Sequence, residues 1–257
     1  MANQIISLPI SWKKKIQQLH NRKYRKKFGL TIVEGEKLFF EVYYNRPELI
    51  NILVLTKDKF YILNKIEEGI STYSVNNSLM EKISLDKTPS GILAVIRNDF
   101  LLNFPEKITY PFVILNGISD PGNLGTIIRT SEAFGFNSIV TDEECVEIMN
   151  PKVIRAAMGS AFRLKLYEKV KKYEILSFLK KEQITPIALD VNGKENIWNF
   201  NLKNKFAIIV GSESHGVSQE FLKISKKFRI PMDGGIESLN AAISCAIAMS
   251  IIKQKNE

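Results

Sequence analysis

The chain has 257 residues, enough for one large domain or two ordinary ones, and its 45% hydrophobic and 25% charged content is that of a globular protein with a sizeable core. Cys145 and Cys245 are the only cysteines, and without a CxxC or Cys/His cluster they support neither a disulfide framework nor a zinc site, so a reducing, cytoplasmic setting is expected. The apolar run "AAISCAIAMSII" (241–252) is too short to span a bilayer, and the N-terminus lacks the charge order of a secretion signal; neither a membrane nor a metal is expected as a partner.

The net charge of +9 is unevenly placed. Residues 1–33 hold eight basic groups (Lys13, Lys14, Lys15, Arg22, Lys23, Arg25, Lys26 and Lys27) and no acid, leaving 28 of the 36 basic groups against 27 acidic ones elsewhere. Clustered cations release counterions from a polyphosphate, so nucleic acid is the expected partner of this leader. The competing reading is a solvated, mobile tail. Tyr24 and Phe28 could stack on bases, or form the apolar face of a short helix.

Residues 31–98 read as a small mixed α/β unit. "TIVEGEKLFFEVYYN" suggests a strand end, a glycine turn and a helix with Leu38, Phe39, Val42 and Tyr43 at helical spacing. "NILVLT" (51–56) and the weaker "STYSV" (71–75) read as strands, and "TPSGILAVIRN" (88–98) as a turn followed by a strand. A polar stretch, "NDFLLNFPEKITYP" (98–111), marks a linker over residues 99–110. The expected division is therefore a first domain at 1–98 and a second at 111–257.

From Phe112 strands alternate with helices. "FVILN" (112–116) is a buried strand, followed by the turn "GISDPGN" and a helix from about Leu124 to Phe134. "NSIV" (137–140) is a strand, "PKVIRAAMGSA" (151–161) a helix with proline at its start, and "YEILSFLKKEQ" (173–183) an amphipathic helix. "TPIALD" (185–190), "KFAIIVG" (205–211) and "FRIPM" (228–232) read as strands before a long helix, "SLNAAISCAIAMSIIKQ" (238–254). Near-continuous apolar strands in such alternation predict a parallel sheet covered on both faces.

Ligands of open parallel sheets sit at the carboxyl ends of the strands, where three loops rich in Gly, Ser and Asn fall: "NGISDPGN" (116–123), "GSESHG" (211–216) and "PMDGGIESLN" (231–240). Ser238 is the expected N-cap of the last helix, whose first N–H groups and positive dipole end would face the loops. No GxxxxGK[ST] or GxGxxG is present, which excludes a P-loop NTPase and gives no support to a nicotinamide enzyme.

The three loops, in this order, resemble the three motifs of the SpoU/TrmH family of SPOUT RNA ribose 2′-O-methyltransferases: "NGISDPGNLGTIIRTSEAFG" (116–135), "IIVGSESHGVS" (208–218) and "IPMDGGIESLNAAISCAIA" (230–248). "VEGEKLFFEV" (33–42) and "KTPSGILAVI" (87–96) are similar, over a shorter match, to the L30e-like substrate-binding domain of relatives that modify ribosomal RNA. The resemblance implies a smaller N-terminal L30e-like α/β domain and a C-terminal α/β trefoil-knot domain that binds S-adenosylmethionine and works as a homodimer. By motif position, Gly211, Ile230 and Leu239, with Ser238 and Asn240, would contact the methyl donor. Arg129, Asn123, Glu213, Ser238 and Asn240 would form the catalytic set. The family is thought to use the arginine on the ribose hydroxyl, beside a donor held by the partner subunit. A guanidinium is an awkward general base, so Arg129 is expected to anchor phosphate and stabilise the developing alkoxide, unless it makes a structural ion pair. Asn123 could orient Arg129 or cap the helix. Asn116 is expected to order the first turn; His215 is not required by the motif, and His20 lies within the basic leader. The expected substrate is 23S ribosomal RNA; the alternatives are a transfer RNA, or a non-catalytic RNA-binding assembly factor that retains the fold.

Overall fold

The computed structural model describes residues 6–201, 204–233, 235 and 237–256. The chain divides into two compact units, Met1–Phe100 with Met149–Phe162, and Leu101–Ile148 with Arg163–Glu257.

The first unit is built on a five-stranded sheet of β1 (Ile6–Ser7), β2 (Leu30–Glu34), β3 (Ile50–Thr56), β4 (Thr72–Val75) and β5 (Ile92–Arg97), in the order β1-β4-β3-β5-β2. β5 runs antiparallel to both β2 and β3. The basic leader is not a solvated tail here but two helices, α1 (Ile10–Leu19) and α2 (Arg22–Phe28). Ile16 and Leu19 of α1 are buried, and Trp12 and Phe28 pack against the core formed by Ile32, Val54 and Leu93. Asn21 starts α2 by accepting from the Lys23 N–H, and Gly29, at φ 62°, ends it in the left-handed conformation glycine tolerates best. The glycine turn at Gly35 leads into α3 (Glu36–Asn45), as the spacing predicts. α4 (Asn77–Ile83) was not legible in advance; Asn76 caps it through the Leu79 N–H.

The second unit holds a seven-stranded sheet of β6 (Phe112–Asn116), β7 (Ser138–Asp142), β8 (Lys165–Val170), β9 (Thr185–Leu189), β10 (Glu195–Asn196), β11 (Phe206–Gly211) and β12 (Lys226–Arg229). All its ladders are parallel, in the order β10-β12-β9-β11-β6-β7-β8. Every residue of β6, β7 and β11 is buried, as expected where helices cover both faces. The helices are α5 (Pro121–Ala133), α6 (Pro151–Ala157), α7 (Lys172–Lys181), α8 (Gln219–Leu222) and α9 (Ala241–Asn256), of which α6 belongs to the first unit. Although its sequence position is among the second unit's strands, α6 buries Val153, Ile154 and Ala157 and packs on β2, where the Thr31 hydroxyl donates to the Met149 carbonyl at 2.7 Å. β11 inserts between β9 and β6, and β12 between β9 and β10, before α9 crosses back to pack on α5 and β11.

Several boundaries differ from expectation, and α6 ends at Ala157 rather than 161, with Met158 at φ 48°. α5 begins at Pro121, because the Asp120 carboxylate accepts the Asn123 N–H at 2.8 Å and caps it. α9 begins at Ala241, and its cap is Asn240 rather than Ser238: Asn240 Oδ1 accepts from the N–H groups of Ala242 (2.9 Å) and Ile243 (3.2 Å). The strand expected at 228–232 runs instead over Lys226–Arg229; Pro231 has no N–H to donate to a ladder.

Candidate active site

The carboxyl ends of β9, β11 and β12 open into a cavity of about 590 Å³. Its walls combine apolar Val210, Val217 and Leu222 with polar Ser212, Glu213 and Ser238. Gly211, Ile230, Leu239 and Ser238 all line it; Asn240 does not, although its neighbours Leu239 and Ala241 do. A Cβ built on Gly211 would lie 2.0 Å from the Gly216 carbonyl carbon, so the loop after β11 folds back onto a backbone that only glycine allows. That fold is held by Ser212, whose carbonyl accepts the Gly216 N–H at 2.9 Å and whose hydroxyl accepts the His215 N–H at 3.2 Å.

One side chain joins the three loops. Asn123 Nδ2 donates to the Glu213 carboxylate, and Asn123 Oδ1 accepts from Asn240 Nδ2 at 2.9 Å. Asn123 therefore does not cap α5 through its side chain, a task left to Asp120, and both ends of its amide are committed to other loops rather than to Arg129. Arg129 stands on the exposed face of α5. Among the described residues no hydrogen bond or ion pair engages its guanidinium, so the structural ion pair considered for it has no partner there. It is not part of the cavity wall of its own chain.

Sequence reasoning missed Asp142. This fully buried carboxylate at the end of β7 accepts Asn116 Nδ2 (2.6 Å) and the N–H groups of Gly117 (3.0 Å), Glu144 (3.1 Å) and Cys145 (3.1 Å). Asn116 Oδ1 in turn accepts the Ser218 N–H at 2.6 Å, tying the first loop to the end of the second. In "TDEEC" only its place at the end of an apolar strand separates Asp142 from the two acids after it, a faint signal. Burial, and then the charge of Asp142, push the Cys145 thiol well above its ordinary value, which removes it from thiolate chemistry.

The leader's cations separate into different kinds. Lys14, Arg22, Lys23, Lys26 and Lys27 are exposed, while Lys13 and Lys15 are half-buried, with Lys15 over the Trp12 ring at 4.6 Å. Arg25, expected to bind RNA, is only 6% exposed; its guanidinium donates to the carbonyls of Leu19 (2.7 Å) and His20 (2.9 Å) at the end of α1. Its role is to close a helix terminus whose carbonyls would otherwise be buried without donors.

Comparison with known proteins agrees with this geometry. Residues 110–250 match the model of the SpoU rRNA methylase family, and residues 13–94 that of the MRM3-like substrate binding domain. The 23S rRNA (guanosine(2553)-2′-O)-methyltransferase RlmP of Bacillus subtilis is 30% identical over 92% of each chain. Human mitochondrial rRNA methyltransferase 3 is 24% identical over 89% of this chain and 68% of its own. A TrmH-family protein of known structure from Porphyromonas gingivalis superposes with a TM-score of 0.85 at 28% identity, covering 96% of this chain and 99% of that one. AviRb of Streptomyces viridochromogenes, solved with AdoMet, shares the fold at the same TM-score and 19% identity, over 96% and 98% of the two chains. The chain belongs to the SpoU rRNA methylase family, and its second unit has the trefoil-knot (SPOUT) methyltransferase fold.

Proposed function

We propose that this protein transfers a methyl group from S-adenosylmethionine to a ribose 2′-hydroxyl of 23S ribosomal RNA, in the cytoplasm and as a homodimer. The observation that carries the reading is a cavity walled by the second and third loops, to both of which Asn123 of the first is bonded, through Glu213 and Asn240. The cavity suits the donor: its volume falls within the roughly 300–1,000 Å³ of small-molecule sites, and its walls offer apolar surface beside polar groups. Gly211, Ile230, Ser238 and Leu239 would hold it there. When bound, S-adenosylmethionine supplies an electrophilic methyl on a sulfonium. Residues 111–257 would perform the transfer, and residues 1–98, joined through 99–110, would hold the RNA.

The chain's residues then divide the work. The sugar hydroxyl is a weak nucleophile, and fixing it in line with the methyl removes much of the entropic part of the barrier. Arg129 holds the phosphate next to the reacting ribose and offers N–H donors to the oxygen as its charge develops. Its exposure, with no partner among the described residues, leaves it available to a group outside its own chain, which accords with a site completed across a dimer. Asn123, Glu213 and Asn240 hold the loops in register, and Asn240 adds the first turn of α9 to the site through its cap. The exposed lysines of α1 and α2 supply attraction to the RNA backbone.

The test is incubation with labelled methyl donor and total RNA, with the modified ribose located as an alkali-resistant linkage. Arg129→Ala should lower kcat by 100-fold or more, roughly the loss of one preorganised oxyanion donor, with donor affinity by calorimetry changed less than about threefold. Label confined to transfer RNA would replace the ribosomal substrate. Donor binding without any transfer would favour the assembly-factor alternative.

A further inference from the structure

α1 and α2 border a shallow, open groove of about 620 Å³ lined by Lys14, Gln17, Gln18, His20, Asn21 and Tyr24. Two of these side chains are fastened to α4: Gln17 Nε2 donates to the Lys82 carbonyl at 3.2 Å, and His20 Nε2 lies 2.9 Å from the Ile83 carbonyl. Tyr24 stacks on Phe28, with ring centroids 6.0 Å apart and planes at 22°, and Phe28 rests on the core. Gln17, His20 and Tyr24 thus give the groove a fixed wall. Asn21 Oδ1 is used by the α2 cap, but its amide N–H groups and the Lys14 ammonium have no partner among the described residues. The exposed Gln18 amide is likewise uncommitted. No acidic side chain occurs between residues 6 and 33.

We infer that this groove is a nucleobase subsite, which takes one unpaired base of the RNA and reads its edge with the amides of Gln18 and Asn21. The inference rests on the RNA-directed reading given above. Amide side chains offer the donors and acceptors that base edges match, Tyr24 offers a ring against which a base packs, and Lys14 and the lysines of α2 suit the flanking phosphates. An acidic peptide would need only the cations. A paired base is excluded because its Watson–Crick edge is occupied and the deep groove of an A-form helix does not admit side chains. The leader is thus a reader of local RNA structure, beyond an electrostatic tether.

The experiment is binding by fluorescence anisotropy across a salt series, using the full-length protein, a mixed-sequence unpaired oligoribonucleotide and a blunt duplex of the same length. Gln18→Ala and Tyr24→Ala should each weaken binding of the unpaired strand about tenfold, with its salt slope and the duplex affinity unchanged. Lys23→Gln/Lys27→Gln should weaken both RNAs and flatten the salt slope. The Gln18 side chain is exposed and without partners among the described residues, so its truncation does not endanger the fold; melting curves check Tyr24→Ala, and if that variant is unstable the Gln18→Ala result decides alone. Unchanged affinity of Gln18→Ala for the unpaired strand, or equal losses on the duplex, overturns the subsite while leaving the methyltransferase reading intact. If the unaltered protein binds neither RNA, the RNA-directed reading itself falls, and the subsite with it.

Discussion

Asn123 and Asp142 show how differently two short polar residues can serve one site. Asn123, expected as a cap or as a support for Arg129, spends both ends of its amide on bonds to Glu213 and Asn240. Asp142 collects four N–H donors while fully buried, and fastens the turn from which α5 departs. Asp142→Asn would set an amide N–H₂ against donors and leave some unsatisfied, at about 1–3 kcal/mol for each buried group. We expect this variant to lose several degrees of melting temperature and to bind the methyl donor more weakly. The reciprocal double variant, Asn116→Asp with Asp142→Asn, restores a carboxylate–amide pair and still offers an acceptor to the Ser218 N–H. Calorimetry should therefore show it recovering much of both losses; a double variant no better than Asp142→Asn would mean that the pair does not act as a unit.

Element periodicity was read well where apolar residues dominate. β3, β6, β9 and β11 fall where the apolar runs predict. β8, "KLYEKV", was hidden by its lysines and glutamate, which are half-buried and engaged: Lys165 Nζ donates to the Thr109 hydroxyl at 2.7 Å, and the Glu168 carboxylate accepts the Ile148 N–H. The short α4 was hidden by its length. The loop after β11 depends on Gly211 more through packing than through chemistry: Gly216 and Val217 backbone atoms lie 2.0–2.2 Å from where its Cβ would be. Gly211→Ala must move backbone, not a side-chain tip, so a loss of ~3 kcal/mol or more is expected, read as a lower urea midpoint. Donor binding should vanish with it, because the same loop walls the cavity. A variant with the original midpoint would mean that the loop yields easily.

For the whole molecule, the proposed function calls for a second copy to complete the site. Arg129 is exposed on α5, and Ile243, 53% exposed, stands on α9, the helix packed against α5. Light scattering should give twice the chain mass of 29.3 kDa, and Ile243→Glu should shift the protein toward the monomer and lower transfer in parallel. Full activity at monomer mass would place Arg129 beside the donor of its own chain and refute the shared site. No described helix is long and apolar enough to cross a membrane.

The amino-acid sequence by itself determined the strand–helix alternation, the three loops after apolar strands and the concentration of cations at one end, because each is written in local periodicity, turn chemistry or composition. Its likeness to a known family supplied the knotted fold, which pattern alone does not reach: threading depends on the order in which strands insert, and β11 enters between β9 and β6, strands distant in sequence. Only the tertiary structure decided that Arg25 is buried beneath α1, that Asn240 and not Ser238 caps α9, and that α6 packs on β2. Each of these turns on which carbonyl, amide or apolar face a distant segment presents. A side chain's own neighbourhood in the sequence carries no record of that.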